Sequence, residues 1–250
     1  MHLCNLLRPR YLSVVFVFLL FAAGSPLAVT IDGFTDVYPP NIDLPTGGYE
    51  IIFVGTMCDG GACPPGTLVE HLVSDAAYQT GLAGALGGER TAVIYYVAGT
   101  ANSNIIPSYG WMTMNHNAGA SAILDLTYGE FVDLSTDFTP SASMFIVTVA
   151  TGDMYAGPRP VPCTITVTSG RGTAEEATAS MTLDLINEAD YEFPFANFGG
   201  IDFADIDMIS YNFDASNVLA VDFGIGPLRT DDTTVPTKSS TWGKVKSLFK

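Results

Sequence analysis

From residue 206 to 213 the side chains alternate: Asp207, Ile209, Tyr211 and Phe213 on one side, Ile206, Met208, Ser210 and Asn212 on the other, with the bulkier apolar groups sharing a face. A period of two is that of a β-strand, because successive Cβ atoms point to opposite faces of a sheet. This strand lies inside the stretch FPFANFGGIDFADIDMISYNFDASNVLAVDFGIGPL, residues 193–228. Residues 214–217 form a turn-rich tetrad, after which 218–225 repeats the apolar alternation until Gly226 and Pro227 stop it. The stretch therefore reads as two paired strands that close a β-sandwich.

The rest of the chain supports that architecture. ERTAVIYYVA at 89–98 is dense in β-branched and aromatic residues and follows the sharp turn of Gly87 and Gly88. Further strands are expected at 29–36, 50–56, 109–115, 120–127, 144–151, 161–168 and 179–186, separated by Gly, Pro, Asn and Ser clusters. Residues 71–86 are rich in small side chains without an apolar stripe and are expected to be irregular. No βαβ alternation, long amphipathic helix or self-similar repeat is visible, so parallel, propeller and solenoid folds are excluded. What remains is an all-β, antiparallel β-sandwich of the jelly-roll kind.

The ends are different material. Residues 1–28 carry Arg8 and Arg10, an apolar run over 11–22 and then Ala22, Ala23 and Gly24, the pattern of a secretory signal peptide forming an N-terminal helix. A single sandwich domain is expected over 29–228, and a linker with a basic amphipathic tail over 229–250. Export implies an oxidising compartment, so Cys58 and Cys63, which enclose Asp59, Gly60, Gly61 and Ala62, are expected to form a local disulfide. Cys163 is then a buried strand residue. Residues 29–228 hold 24 acidic side chains against Arg90, Arg159 and Arg171, a formal charge of −21. Such a body repels phosphate backbones, which excludes nucleic acid as its partner.

Three segments carry a resemblance: LGGER at 86–90, LDLTYGEFVDLS at 124–135 and FPFANFGGIDFADIDMISYNF at 193–213. In this order they resemble secreted bacterial jelly-roll proteins of the PEP-CTERM-associated kind, although no Pro-Glu-Pro motif is present here. More distantly, the final part is similar to galactose-binding-like carbohydrate-binding modules. The resemblance implies a jelly roll and carries fold further than function.

Candidate residues fall into four groups. Glu89 and Arg90 follow the Gly-Gly turn, and Arg90 is expected to be a structural clamp on carboxylates such as Asp32 or Asp36. Asp202, Asp205 and Asp207 offer hard oxygen ligands of the type calcium takes, the competing expectation being solvent-facing carboxylates between buried apolar residues. Most of Tyr95, Tyr96, Tyr109, Trp111 and Tyr128 are expected to pack in the core, although Tyr95 and Tyr96 are adjacent in one strand and point to opposite faces, so at least one lies outside or at an edge. The alternative is a sugar-stacking platform at Trp111, with Asn115, His116 and Asn117 supplying polar groups. In the tail, Trp242, Val245, Leu248 and Phe249 recur at helical spacing beside Lys244, Lys246 and Lys250, a short basic helix suited to being read by an export or surface-anchoring system. His71 and His116, the histidines of the exported body, lie in no recognisable catalytic motif. The sequence thus points to a secreted, non-catalytic protein of the cell surface or extracellular matrix, with a polysaccharide- or surface-glycan-binding module as the alternative.

Overall fold

The computed structural model describes residues 28–35, 52–56, 71–72, 74–98, 102–108, 110–116, 120–152, 160–218 and 221–232. The strands among them are β1 (Thr30–Asp32), β2 (Ile52–Thr56), β3 (His71–Leu72), β4 (Ser74–Thr80), β5 (Glu89–Ala98), β6 (Asn102–Ser108) and β7 (Trp111–His116). They continue as β8 (Ser121–Tyr128), β9 (Met144–Gly152), β10 (Val161–Ser169), β11 (Ala177–Leu185), β12 (Ala189–Pro194), β13 (Ile206–Asp214) and β14 (Phe223–Thr230). One sheet has the order β12-β9-β14-β7-β6-β2-β3 with β1 also on β14, and the other β11-β10-β13-β8-β5-β4. The inner faces of both supply one continuous core, from Met112, Val147 and Ile225 of the first to Ile94, Leu126 and Ile209 of the second. This is an antiparallel β-sandwich.

The alternation at 206–213 does form β13, but its expected hairpin with the last strand does not exist. β13 pairs with β8 and β10, whereas β14 pairs with β7, β9 and β1 in the opposite sheet. Between them, among the described residues, Ala215, Val218 and Val221 are buried. Both strands have one largely apolar, buried face, so period two identifies them as strands while leaving their partners open. Phe213 and Phe223 then meet across the core, ring centroids 6.3 Å apart.

Gly226 and Pro227 also fail to end the last strand. Ile225 pairs with Val149 and Leu228 with Val147, so these two residues oppose Thr148 alone, and the strand resumes to Thr230. That is a β-bulge, where a proline deprives the ladder of no hydrogen bond. Arg229, assigned to the tail by composition, is thereby a sheet residue.

Residues 71–86, expected to be irregular, contain β3 and β4. β4 is an edge strand whose Ser74, Ala76, Tyr78 and Thr80 are exposed and whose other side, among the described side chains, has the small Ala77 and the polar Gln79, so no apolar stripe appears. β6 and β12 had no counterpart in the sequence reading. In β12 the charges of Asp190 and Glu192 interrupt the inward series Ala189, Tyr191 and Phe193.

The segment before β13 is an aromatic plug at one end of the sandwich. Phe195 and Phe203 stack at 3.9 Å with 9° between planes, and Phe145 meets Phe195, Phe198 and Phe203. Each such pair adds roughly 0.5–1.5 kcal/mol beyond its area burial. Cys163 is buried in β10, and burial pushes its thiol well above the ordinary range.

Candidate functional site

The deepest polar feature is centred on Arg90 at the start of β5. Its Nη1 donates to Asp32 Oδ2 at 2.6 Å, with both side chains essentially unexposed. Nε and Nη2 donate to Gln79 Oε1 at 3.0 and 2.6 Å. Asp32 also accepts the Tyr128 hydroxyl at 2.8 Å and the Phe34 N–H at 2.8 Å, and the guanidinium lies 5.5 Å from the Phe34 ring centroid. Asp32 is thus the partner of the clamp, and the clamp fixes β1 and residues 33–34 against the second sheet. Glu89, on the opposite side of β5 from Arg90 and also buried, accepts the Tyr78 hydroxyl at 2.7 Å and the Val132 N–H at 3.1 Å.

The three aspartates expected as calcium ligands do not converge. β1 and β14 do meet, but Asp32 is committed to Arg90 and lies in the core. Asp207 is buried rather than solvent-facing, and its Oδ2 accepts the Arg171 N–H. The Arg171 guanidinium ties Gly129 O and Glu130 O at 2.8 and 3.1 Å. Asp202 and Asp205 remain exposed around a cavity of about 260 Å³ that also includes Ser169, Thr173 and Glu175. Among the described residues, no group of three or more His, Cys, Asp or Glu side chains is placed to hold a metal ion.

Asp207 and Asp133 instead influence each other's protonation. Burial raises the Asp207 carboxyl, and the neighbouring Asp133 and Asp205 charges raise it further. Burial would raise Asp133 as well, but hydrogen bonds from Ser135 and Asp207 and the charge of Arg171 hold it below its ordinary value. A raised folded-state pKa contributes stability that is complete below the ordinary carboxylate value near 3.8 and is lost as pH rises through the raised value. Asp133 contributes oppositely, its share vanishing only as pH falls through its lowered value. In Asp207→Asn the amide can still donate to Asp133 and accept from Arg171, but it cannot titrate. The variant should therefore keep its melting temperature over the mildly acidic interval where the parent loses stability with rising pH. Parallel slopes for the two proteins would refute this.

The outer face of the first sheet gathers a different set of side chains. Along β7, Met112, Met114 and His116 point inward while Trp111, Thr113 and Asn115 point outward. Trp111, expected to pack in the core, is 42% exposed. The pairing of Ile225 with Met112 brings Gly226 beside it. A methyl group on Gly226 would lie 3.4 Å from Trp111 Cζ3 and 3.2 Å from Thr148 Cβ, so the bare glycine lets the indole lie close against the sheet. Thr148 Oγ1 donates to Asp190 Oδ1 at 2.5 Å, and Arg229 Nη2 donates to Asp190 Oδ2 at 2.8 Å.

Trp111, Gly226, Thr148 and Asp190 form a row across β7, β14, β9 and β12. Three interstrand steps make it roughly 14 Å long. Arg229 and Asp190 retain 33% and 49% side-chain exposure. An ion pair so exposed adds only about 0–1 kcal/mol to stability. Its chemical value lies in presenting a carboxylate and a guanidinium, which carries five N–H donors, next to an aromatic surface.

Of the two described residues grouped with Trp111 by sequence, Asn115 shares its face and His116 does not. His116 is 3% exposed, its Nδ1 donates to Val221 O, and its backbone N–H donates to Asp222 Oδ1 at 2.7 Å. It anchors residues 221–222, because adjacent strand residues must point to opposite faces. Tyr128 is fully buried and Tyr95 exposed. Thr148, Asp190 and Arg229 escaped the sequence reading because only strand register unites them. Asp36, Tyr109, Asn117, the Cys58 and Cys63 pair, the leader over 1–27 and the tail bearing Trp242, Lys244, Lys246 and Phe249 lie outside the described residues.

No family model matches the chain, and no curated protein matches it in sequence. Solved structures do align with it. A family 11 carbohydrate-binding module of the cellulosomal cellulase Lic26A-Cel5E of Clostridium thermocellum is 13% identical over 72% of this chain and 95% of its own, with a TM-score of 0.31. The family 11 module from Clostridium thermocellum in complex with a β-1,3-1,4-mixed-linked tetrasaccharide is 14% identical over 74% of this chain and 98% of its own, with a TM-score of 0.29. A family 29 carbohydrate-binding module complexed with mannohexaose is 14% identical over 73% of this chain and 92% of its own, also at 0.29.

Proposed function

We propose that the protein is an exported, non-catalytic β-sandwich that binds glycans on the outer face of the sheet carrying Trp111. The observation that carries this reading is the exposed indole lying over Gly226 at one end of the row, with Thr148, Asp190 and Arg229 at the other. An indole face suits the apolar C–H face of a pyranose, and the carboxylate, hydroxyl and guanidinium suit its hydroxyl groups. The row spans several strands, so it favours an oligosaccharide over a single ring. His116, the described histidine nearest this face in sequence, is occupied by the Val221 carbonyl, which supports binding over turnover.

Affinity electrophoresis through gels containing soluble polysaccharides tests the proposal. Retardation is expected on at least one polysaccharide, and Trp111→Ala should weaken it roughly 10–100-fold, the equivalent of the 1.5–3 kcal/mol that burying a large apolar side chain contributes. The substitution is at an exposed site and should leave stability within about 0.5 kcal/mol. Equal retardation of both proteins, or none on any polysaccharide, would refute the reading and leave a surface or matrix protein without a glycan ligand.

A further inference from the structure

Beside the Trp111 row is a cleft of about 570 Å³ bounded by Thr30, Gly33 and Thr35, the segment 83–87, and Pro227. That volume is within the range of small-molecule sites, about 300–1,000 Å³. The cleft adjoins Trp111 on two sides. Pro227 in its wall follows Gly226, over which the indole lies. Gly110, preceding Trp111, donates its N–H to Phe34 O at 2.8 Å and so holds the start of β7 against the opposite wall.

The walls are built rather than incidental. Gly33 N–H donates to Gly84 O at 2.8 Å and Asp32 bridges Ala85, which joins the two sides. The 83–87 segment is closed by Leu82 N–H to Gly88 O and Gly88 N–H to Ala85 O, both at 3.0 Å, with Gly87 and Gly88 each at φ +72°. Beneath it, Asp32 is fixed by Arg90, Tyr128 and the Phe34 N–H. Arg90 and Asp32 therefore act as positioning residues for the cleft wall.

Its chemistry is uncharged. Among the described residues the lining consists of threonine hydroxyls, peptide groups and the apolar surfaces of alanine, Leu86 and Pro227, without an ionisable side chain. The surrounding body is strongly acidic, and the nearby Arg229 already pairs with Asp190. Among the described residues an anionic ligand would thus meet no unmatched cation at the cleft and, from the acidic body, a repulsive field, whereas a neutral polyhydroxylated ring finds hydroxyl and peptide partners along with apolar contact.

We infer that this cleft is a second subsite, continuous with the Trp111 row, and that it selects an uncharged saccharide unit over a uronate. The inference rests on the glycan-binding reading above. Calorimetric titration of the full chain with neutral gluco-, manno- and xylo-oligosaccharides, and with galacturonate and alginate oligomers of equal length, tests it. At least one neutral series should bind, at least tenfold more tightly than either uronate. Ala83→Met, which fills the cleft without touching Trp111, should weaken that binding about tenfold or more. Thr35→Val removes one hydroxyl at nearly constant volume; it should lower affinity a few-fold and keeps the test readable should Ala83→Met fail to fold. Loss of binding in Trp111→Ala with both cleft variants unaffected would overturn the subsite while sparing the row. Tighter binding of a uronate would overturn the ligand class. Binding of no oligomer at all would overturn the row and the subsite together.

Discussion

Replacing Arg90 with methionine is expected to lower stability by roughly 3–5 kcal/mol at neutral pH, because removing one partner of a buried ion pair leaves an uncompensated charge. For a domain of this size that corresponds to a fall in melting temperature of roughly 6–20 °C. Arg90 and Asp32 are 1% and 0% exposed, and Gln79 would lose its donors as well. In the parent, burial raises the Asp32 carboxyl above 3.8 despite the lowering by Arg90, Phe34 and Tyr128. Its contribution is therefore complete below the ordinary value and declines as pH rises through the raised one. Without Arg90 the raised value moves higher still. The deficit should thus be greatest at neutral pH and shrink on acidification. Adding Asp32→Asn to Arg90→Met should recover part of the loss, since no charge is then left buried. Chemical denaturation across pH measures both effects; a variant within about 1 kcal/mol of the parent at neutral pH would refute the clamp.

Gly129→Ala should be comparably damaging for a steric reason. Gly129 has φ +82°, and a Cβ there would lie 2.2 Å from Asp207 O and 2.7 Å from Leu134 Cγ. The first of these is backbone, and Asp207 O already accepts the Leu134 N–H at 3.1 Å. The side chain could be admitted only by displacing residues 129–136 from the start of β13, the junction that also holds Arg171 and the Thr136 to Ile206 bridge. Gly172 supplies the control, with φ +77° and open space where its Cβ would be. Gly172→Ala should cost only the roughly 1–2 kcal/mol of a left-handed conformation, whereas Gly129→Ala should exceed about 4 kcal/mol or prevent folding. Equal costs measured by urea denaturation would show that the 129–136 loop can yield.

Legibility in the sequence followed the physics of each element. Strands with one apolar face, such as β5, β8, β10 and β13, announce themselves by alternation. β4 does not, since an edge strand has little core face to fill, and β12 is obscured by outward charges. Strand partners were not legible: 206–213 and 218–225 read as a hairpin, yet they lie in opposite sheets, because a buried face is equally satisfied by either layer. Arg90 stood out as an isolated cation in an acidic chain, so a clamp on a carboxylate such as Asp32 or Asp36 could be anticipated, and the structure pairs it with Asp32. Trp111 could be named but its exposure could not, since that depends on Gly226 and a bulge that looked like a strand terminus. Asp190 and Arg229 are 39 residues apart and meet only through the register of β12, β9 and β14.

The most direct test of glycan binding at Trp111 uses the indole itself. The chain has two tryptophans, Trp111 and Trp242, so in Trp242→Phe the emission comes from Trp111 alone. Titration with the neutral oligosaccharide that binds best by calorimetry should shift this emission to shorter wavelength, saturably and with the same dissociation constant, as a sugar ring displaces water from the indole face. Emission unchanged at calorimetric saturation would contradict binding at Trp111.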